Sequence, residues 1–558
     1  MKQNILILAS LACLGLAIPA AYATDTLFLS QNVITMERGK RSSQPLAVAV
    51  TGERISWIGP LDEARQQQQS HTKVIDLGER ALLPGFIDAH GHISSVGIVA
   101  QLANVASPPV GPVTNMDELV KVLQAHIRNN EIAPGEWVVG RGYDDSLLAE
   151  ERHPTRDDLD RASSEHPIML IHVSGHLAAA NSRALARAGI NDETPNPDGG
   201  VIRRYADSNR PNGVLEETAA SSVRAYMMEA IKDPVASIKL AMEEYAKNGI
   251  TTAQDGGSSP QSVALLKAAD QAGYVNLDVI AFPQGQTDER ATLDAFEFGS
   301  YQGRIKIGGI KLMLDGSPQG KTAYMTKPYF IAPDGQTADY RGYPIIPQPR
   351  VSELVSTYFA ADVPVIAHAN GDAAADMLIE AVSETAYQKD HRTVMIHAQT
   401  VREDQLTAMK TLGMVPSYFA AHSFYWGDWH RDSVFGVERA SRISPTASTV
   451  ARAMWFTVHN DSPVVPPDVM RLLWATTNRL TRSDQVLGRN QRIATYDALR
   501  AVTINAAYQH FEEDLKGSIE VGKQADLVVL STDPLSLPAS DLLQVEVEAT
   551  YSRGRKVF

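Results

Sequence analysis

The sequence predicts an α/β protein built around a (β/α)8 TIM barrel. Short apolar runs occur eight times in the chain, and helical stretches such as residues 234–248 alternate with them. Such alternation is typical of a parallel sheet covered on both faces, and eight units can close into a barrel. The runs are LPGFIDAHGH (83–92), GITTAQDGG (249–257), LDVIAF (277–282), IKIGGIKLMLDG (305–316), VPVIAHANGD (363–372), TVMIHAQ (393–399), GMVPSYFAAH (413–422) and WFTVHNDSPV (455–464).

Residues 1–23 are typical of a secretory signal peptide. Lys2 stands near the start, an apolar stretch follows from Ile5 to Ile18, and residues 21–23 (AYA) form a small-x-small cleavage site. This apolar stretch is shorter than the ~20 residues that a membrane-spanning helix needs. We therefore expect cleavage after Ala23 and export to the bacterial periplasm or the medium, with no membrane insertion of the mature chain.

Cysteine content and charge narrow the possible partners. The only cysteine, Cys13, lies in the signal; it would also suit a lipoprotein, although residues 10–12 (SLA) fit lipidation poorly. The mature chain then has neither disulfides nor thiolate metal ligands. Loss of Lys2 changes the formal net charge from −14 to −15. This acidity argues against nucleic acid as a partner and favours a small-molecule substrate.

Two regions lie outside the barrel pattern of residues 81–514. Residues 24–80 and 515–558 carry short alternating runs, including a predicted hairpin at 46–60, and we expect both ends to form one small composite β-sandwich domain. The stretch from about 95 to 248, after the first strand, is too long for an ordinary βα loop. We expect a partly helical insert that covers the mouth of the barrel.

Polar side chains stand where the predicted strands end. In a TIM barrel the chemistry lies at these carboxyl ends, where the loops converge on one cleft. His90 and His92 are two residues apart, so both can point inward from the first strand. Imidazole and carboxylate are ligands that a divalent ion such as zinc prefers. The six candidates are His90, His92, Lys311, His368, His397 and Asp461.

Lys311 is unusual because an ammonium inside a barrel strand is unfavourable unless it is paired or modified. One alternative is a buried ion pair with Asp315 or Asp255. The other is a carbamate made with CO2, whose oxygens could bridge two metal ions. The residues alone leave both alternatives open. Seven histidines are expected in loops or on helical surfaces, namely His71, His126, His153, His166, His391, His430 and His510.

These motifs resemble the amidohydrolase superfamily. PGFIDAHGH, GGIKLMLDG, IAHANGD, IHAQ and HNDSPV occur in order, followed by AVTINAAY and GSIEVGKQADLVVLSTDP. GVLEE (213–217) and SGHLAAANSRAL (174–185) point to the amidohydrolase-3 branch, which includes N-substituted formamide deformylase-like hydrolases. The resemblance covers essentially the whole mature chain and implies a metal-dependent hydrolase barrel with a composite β domain.

The resemblance implies a role for each strand-end residue. His90 and His92 would hold one metal ion, and His368 and His397 would hold a second. Lys311 would be the carboxylated bridging ligand, and Asp461 would both bind metal and shuttle the proton. The resemblance implies two zinc ions, although the ligand types also accept manganese, iron or cobalt.

The sequence departs from the branch at two positions. Ile396 stands before the sixth-strand histidine, where many relatives carry glutamate, and His459-Asn460-Asp461 replaces a more usual Gly-Ser-Asp. His459 could be an extra ligand, a substrate contact or a packed neighbour of the site. Substrate contacts are predicted at His176 and Arg141 of the insert, at Asp315 and at His422. The structural alternative for these polar groups is capping or core packing.

Three hypotheses follow for function. The first is a hydrolase that cleaves an amide-like C–N bond with a metal-bound hydroxide, with Asp461 as the proton shuttle. The second is a single-metal deaminase, which Lys311 and the sequence after His368 disfavour. The third is a non-catalytic exported protein with a binding or regulatory role. A homodimer is compatible with the size of the chain.

Overall fold

The computed structural model describes residues 24–173, 177–197, 200–206, 208–333, 336–385 and 389–558, and shows a mixed α/β protein. The strands are Thr26–Val33 (β1), Gln44–Thr51 (β2), Arg54–Pro60 (β3), Lys73–Asp76 (β4), Ala81–Pro84 (β5), Phe86–Ile87 (β6), Ala103–Asn104 (β7), Val138–Tyr143 (β8), Ile168–His172 (β9), Leu177–Ala180 (β10), Gly200–Arg204 (β11), Pro211–Glu217 (β12), Ile250–Ser258 (β13), Asp278–Pro283 (β14), Tyr301–Gln302 (β15), Ile305–Ile307 (β16), Ile310–Met313 (β17), Val365–Ala369 (β18), Val394–His397 (β19), Val415–Tyr418 (β20), Thr457–Val458 (β21), Leu527–Leu530 (β22), Val547–Ser552 (β23) and Arg555–Lys556 (β24).

The α-helices are distributed between and after these strands. They are Ile93–Ala100 (α1), Met116–Asn129 (α2), Arg156–Asp160 (α3), Ser182–Arg187 (α4), Thr218–Arg224 (α5), Pro234–Lys247 (α6), Pro260–Gln271 (α7), Glu289–Ala295 (α8), Gln348–Ala360 (α9), Asp372–Ser383 (α10), Glu403–Thr411 (α11), His422–Tyr425 (α12), Gly427–Trp429 (α13), Gly436–Ala440 (α14), Thr446–Ala451 (α15), Val469–Asn478 (α16), Thr495–Ala501 (α17) and Ile504–Gln509 (α18). No helix among the described residues is long and apolar enough to cross a membrane.

Strands from both chain ends share one eight-stranded sheet. Its order is β24-β23-β22-β5-β1-β2-β3, with β4 paired to β1. The two ends meet where β5 pairs antiparallel with β22, so that Ala81 lies opposite Leu530. Apolar side chains such as Phe28, Val48 and Leu527 pack together on one side of this sheet. The sandwich arrangement and the domain boundaries stay predictions.

The long insert forms a second sheet. Six strands pair in the order β11-β12-β10-β9-β8-β7, and two buried apolar clusters pack against them. Helix α2 begins where the Asn115 side chain accepts a hydrogen bond from the Glu118 amide, and Leu119 and Leu123 lie on its buried face. The insert therefore contains more strand than its helical pattern predicts, because its apolar runs alternate over too few residues to distinguish the two periods.

The central strands are those whose carboxyl ends were predicted to hold the candidate metal ligands. They pair in chain order, as β6-β13-β14-β16 in one ladder and β17-β18-β19-β20-β21 in another, and every pairing in this path is parallel. The predicted fourth strand is split at Gly308 and Gly309, where a Cβ atom on Gly309 would lie 2.2 Å from the Pro364 carbonyl oxygen. Beyond the split, the Gly285 amide donates to the Lys311 carbonyl, which joins the two ladders.

The first and last central strands also approach each other. The His92 amide donates to the Ser462 carbonyl at 2.7 Å, and the Asp461 amide donates to the His90 carbonyl at 3.2 Å. These bonds lie beyond the paired ladders, which do not themselves form a closed ring among the described residues. The closed barrel stays a prediction, although both ends of the strand series reach one place.

A buried ionic network connects β14 to the C-terminal region. The Asp278 carboxylate lies 2.6 Å from Nζ of Lys516, 2.8 Å from Arg553 and 3.3 Å from Arg304. Lys516 is 1% exposed. Burial favours the neutral form of Asp278, but the charges of Lys516 and Arg553 outweigh it and lower its pKa to about 2. The network thus connects the first residue of β14 to Lys516 and Arg553 in the C-terminal region.

We expect Asp278→Asn to reduce the free energy of unfolding by about 3–5 kcal/mol, because it removes one charge from a buried ion-pair network. Because the pKa of Asp278 lies below its usual 3.8, this stabilisation is present above pH 3.8 and is lost as the pH falls toward 2. Urea unfolding at pH 7 measures the loss. The exposed Asp294→Asn is the control, and equal effects of the two variants would contradict the prediction.

Candidate metal centre

His90, His92 and Asp461 meet where the first and last central strands end. Nε2 of His92 lies 3.0 Å from Oδ1 of Asp461, and Nε2 of His90 lies 3.5 Å from the same oxygen. The ligand atoms of all three residues lie within 4.8 Å of one another. Two imidazole nitrogens and one carboxylate oxygen at this spacing can hold one divalent ion.

His368 and His397 form a second pair beside the first. Nδ1 of His368, on β18, lies 3.0 Å from Nε2 of His397, at the end of β19. The other carboxylate oxygen of Asp461, Oδ2, lies 3.9 Å from Nε2 of His397. Asp461 therefore directs one oxygen toward each pair of histidines.

Lys311 lies beside these residues. Its Nζ is 3.0 Å from Nε2 of His90, and the side chain is 1% exposed. Burial lowers its pKa to about 7, against the opposing charge of Asp461. The described contacts include no ion pair from Lys311 to Asp255 or Asp315. The buried ion pair considered for the sequence is therefore not formed.

Gln254 on β13 fixes the ring of His90. Its Nε2 donates to the Ala89 carbonyl at 2.8 Å, so its Oε1 is oriented as an acceptor, and this oxygen lies 2.6 Å from Nδ1 of His90. His90 thus carries its hydrogen on Nδ1 and keeps the lone pair of Nε2 directed into the cluster, where Nζ of Lys311 lies 3.0 Å away. Such partners orient the ligands of metal sites and raise their basicity.

Backbone carbonyls fix two more rings in the same way. Nδ1 of His92 lies 2.5 Å from the Gly256 carbonyl oxygen, and Nε2 of His368 lies 2.9 Å from that of Gly316. A carbonyl accepts only, so these contacts favour a hydrogen on each outer nitrogen, although the Asn370 amide nitrogen also lies 3.0 Å from Nε2 of His368. The inner nitrogen of His92 faces the Asp461 carboxylate, where a bound cation would take the place of a hydrogen. This donor set fits a divalent metal ion.

His459 lies behind His397. Its Nε2 is 3.3 Å from Nδ1 of His397, and its own Nδ1 contacts the Ser417 hydroxyl at 2.9 Å. The ring is 1% exposed. Of the roles considered for His459, these contacts match a packed neighbour that orients His397.

The electrostatics of the cluster keep the carboxylate charged and the imidazoles of His90, His368, His397 and His459 neutral. His92 differs, because its hydrogen bond with Asp461 and the charge of that carboxylate outweigh burial and raise its pKa. Burial lowers the pKa of His368 to about 4 and that of His459 to about 3, and it holds the pKa of His90 and His397 well below the usual range. Burial alone would raise the pKa of Asp461, but the hydrogen bond with His92 and the neighbouring imidazoles hold it well below its usual value. Neutral imidazole and ionised carboxylate are the forms that bind metal.

Three residues at the strand ends have unusual backbone conformations. The φ angles are +71° at His397, +43° at Ala398 and +54° at Asp461. Non-glycine residues adopt this left-handed region at an energetic cost, and such positions cluster at functional sites. The turn conformation directs both His397 and Asp461 into the cluster.

The predicted substrate contacts differ in their surroundings. Asp315 accepts hydrogen bonds from the amides of Tyr324, Asn370 and Gly371, so its carboxylate is already occupied by backbone and we assign it no substrate contact. Nε of Arg141 donates to the Val99 carbonyl. The described contacts of Arg141 include no candidate metal ligand. His176 lies outside the described residues.

His422 lies near the cluster. The ring centroid of Phe419 is 4.3 Å from that of His422 and 6.3 Å from that of His397. His422 is 2% exposed and belongs to a wall of aromatic rings that includes Trp426. Its role as a substrate contact stays a prediction.

Sequence reasoning missed several polar residues. His166, His430 and His510, which were expected in loops or on helical surfaces, are buried, because their segments turn these side chains inward. His172 was also overlooked; its ligand atom lies within 4.8 Å of those of Asp144 and Asp145. That cluster carries no metal assignment, because Arg482 interacts electrostatically with Asp144 and offsets its charge.

Comparisons with known proteins identify a family and a similar fold. The sequence model described as "Amidohydrolase family" matches residues 73–558. N-substituted formamide deformylase of Arthrobacter pascens is 28% identical over 95% of this chain and 97% of its own length. Protein LONG AFTER FAR-RED 3 of Arabidopsis thaliana is 27% identical over 97% of this chain and 92% of its own length. A crystal structure of an uncharacterized metal-dependent hydrolase from Pyrococcus horikoshii has a similar fold, with TM-score 0.73, 22% identity, and coverage of 92% of this chain and 99% of that one.

We expect Gln254→Met to weaken zinc affinity by about ten- to a hundredfold, because it removes the acceptor that fixes the tautomer and orientation of His90. A chelator competition assay on the purified protein measures this affinity. Gln491→Met is the matched control, because Gln491 is also buried, at 7% exposed against 0% for Gln254, but contacts Ser448 instead of the cluster. Unchanged affinity in Gln254→Met would contradict the role assigned to Gln254.

Proposed function

The chain belongs to the amidohydrolase family, and we propose that it is a hydrolase with two divalent metal ions that cleaves an amide-like C–N bond of a small molecule. The main support is the position of Asp461, which has one carboxylate oxygen 3.0 Å from His92 and the other 3.9 Å from His397, so that it contacts one member of each histidine pair. A single-ion site would need only one of these pairs.

Each proposed ligand has a defined place in this arrangement. His90 and His92 would hold one ion, His368 and His397 the other, and Asp461 would contact the site from the last strand. The bound ions would lower the pKa of a water molecule and polarise the carbonyl group of the substrate. Zinc is the expected metal, and manganese, iron or cobalt would also fit these ligands.

Asp461 is the proposed proton shuttle. It is ionised near pH 7 and is oriented by His92 and by its own left-handed backbone conformation. In hydrolysis it accepts the proton of the attacking water as a C–O bond forms. It then returns this proton to the leaving nitrogen as the C–N bond breaks, so that an amine and a carboxylic acid result.

Lys311 is the proposed carbamylated residue. With a pKa near 7, a large fraction of its amine is uncharged at neutral pH. The uncharged nitrogen can form a bond to the carbon of CO2 and release a proton, which gives a carbamate anion. This modification would replace a buried cation by two oxygen ligands beside His90.

The proposed cellular location is outside the cytoplasm. Residues 1–23 have the pattern of a signal peptide, and we propose cleavage after Ala23. The mass of the mature protein isolated from a secreting host tests this cleavage, since any start other than Thr24 would contradict it.

We expect Asp461→Asn to lower the rate of amide hydrolysis by about 10²–10⁴-fold, because Asn cannot accept the proton. Asn tolerates the left-handed conformation at this position, so the fold should be retained. Asp484→Asn is the matched control, since the exposed Asp484 also has positive φ, +59°. Hydrolysis by Asp461→Asn at the wild-type rate, with intact circular dichroism, would rule out this role.

We expect wild-type protein equilibrated with ¹³C-bicarbonate to show a carbamate signal by ¹³C NMR and about two metal ions per chain. Lys311→Met should lack the signal and bind less metal, whereas Lys321→Met, which alters another buried lysine, should keep both. Carbamate formation should increase as the pH rises through about 7, because deprotonation of Lys311 supplies the reacting amine. A wild-type protein without the signal would exclude the bridge.

A further inference from the structure

His422 and His430 form a buried pair of imidazoles near the candidate metal centre. Nδ1 of His422 lies 3.1 Å from Nε2 of His430, and the rings are within 6° of parallel with centroids 5.3 Å apart. The two residues are 2% and 0% exposed. One hydrogen lies between these nitrogens, so the direction of the bond determines which nitrogen of His422 carries its hydrogen.

The direction follows from the other nitrogen of His430. Nδ1 of His430 is sealed from solvent and has no hydrogen-bond partner among the described residues. A hydrogen on this atom would be a buried, unsatisfied donor, which folded proteins avoid more strongly than an unsatisfied acceptor. His430 therefore carries its hydrogen on Nε2 and donates it to Nδ1 of His422. His422 in turn carries its hydrogen on Nε2.

Both rings are uncharged in this pair. Burial lowers the pKa of His430 to about 3, and burial together with the neighbouring His430 holds the pKa of His422 well below its usual range. Each ring then has one hydrogen near pH 7, as the assignment of tautomers requires.

A π-helical turn at His430–Val434 holds the His430 ring in place. The amide of His430 donates to the Trp426 carbonyl, and the carbonyl of His430 accepts from the Phe435 amide, both at 2.8 Å. The Lys321 ammonium donates to the Ser433 hydroxyl within the same turn. Turns of this type are rare and occur frequently at functional sites.

The outer nitrogen of His422 can reach a ligand. Nε2 of His422 makes no hydrogen bond to a described residue and, unlike Nδ1 of His430, is not sealed from solvent. The ring centroids of Trp426 and His422 lie 4.8 Å apart. The ring centroids of Phe419 and His459 lie 5.6 Å apart. Phe419 thus packs against His422 and also against His397 and His459, with ring centroids 4.3, 6.3 and 5.6 Å away.

We propose that His422 is a neutral hydrogen-bond donor to the substrate, and that His430 is the positioning residue that fixes this donor. The proposal rests on the proposed hydrolase function for the reaction that the substrate undergoes. A fixed N–H beside Phe419 and Trp426 selects an N-aryl amide whose ring carries an uncharged oxygen acceptor. An ammonium group at the same place would face a donor and would be disfavoured.

The tautomer is tested by ¹⁵N NMR of metal-loaded protein with ¹⁵N-labelled histidine, in which His422→Gln assigns the signals of His422. We expect Nδ1 of His422 to be unprotonated and Nε2 to be protonated in the wild type. His430→Phe should mix the two tautomers, and His430→Gln, which retains a donor, should restore the wild-type state. His166→Phe is the control for loss of a buried histidine. A wild-type His422 protonated on Nδ1 would overturn the assignment, whether or not the protein is a hydrolase.

The donor role is tested by hydrolysis of N-(4-acetylphenyl)formamide and of N-phenylformamide, which lacks the ring acceptor. We expect the acceptor to raise kcat/KM by about tenfold in the wild type, mainly through KM, since one hydrogen bond is gained. His422→Phe should abolish this preference and His422→Gln should keep it. Equal preference in the wild type and His422→Phe would overturn the donor role. Hydrolysis of neither compound would overturn the substrate class, and the NMR result would still decide the tautomer.

Discussion

The whole site depends on one constraint, which is that several lone pairs are held close together in a place that contains little water. Four imidazoles, one carboxylate and one amine converge there, and their outer hydrogen bonds prevent the rings from turning away. Such an arrangement is electrostatically unfavourable without a positive charge at its centre. The pKa values of His90, His368 and His397 are lowered, so protons do not readily supply that charge at these three rings, whereas a divalent ion could.

The fold maintains this constraint by distributing the ligands over separate strands. Each strand contributes one or two groups, and hydrogen bonds from neighbouring strands orient them, as Gln254 does for His90. Left-handed backbone at His397 and Asp461 completes the arrangement. Because these supports belong to the regular elements of the fold, the site and the core stabilise each other.

The sequence predicted the main candidate residues because the signal was local. His90 and His92 are two residues apart at the end of an apolar run, and Lys311 is a charged residue within one. It could not predict Gln254, since a glutamine in a buried strand has no pattern that separates a ligand support from ordinary packing. His430 was assigned to the surface because a π-helical turn shifts the helical phase and turns its ring inward. The split of the fourth strand depends on Pro364, a contact distant in sequence.

The sheet shared by both chain ends also constrains how the protein is made. β5 (Ala81–Pro84) has its antiparallel partner in β22 (Leu527–Leu530), which is synthesised much later. Until β22 leaves the ribosome, β5 has one edge without a pairing partner. Its unpaired backbone groups can then pair with other chains. This sheet therefore closes late in folding, because its central pairing joins segments that are far apart in the sequence.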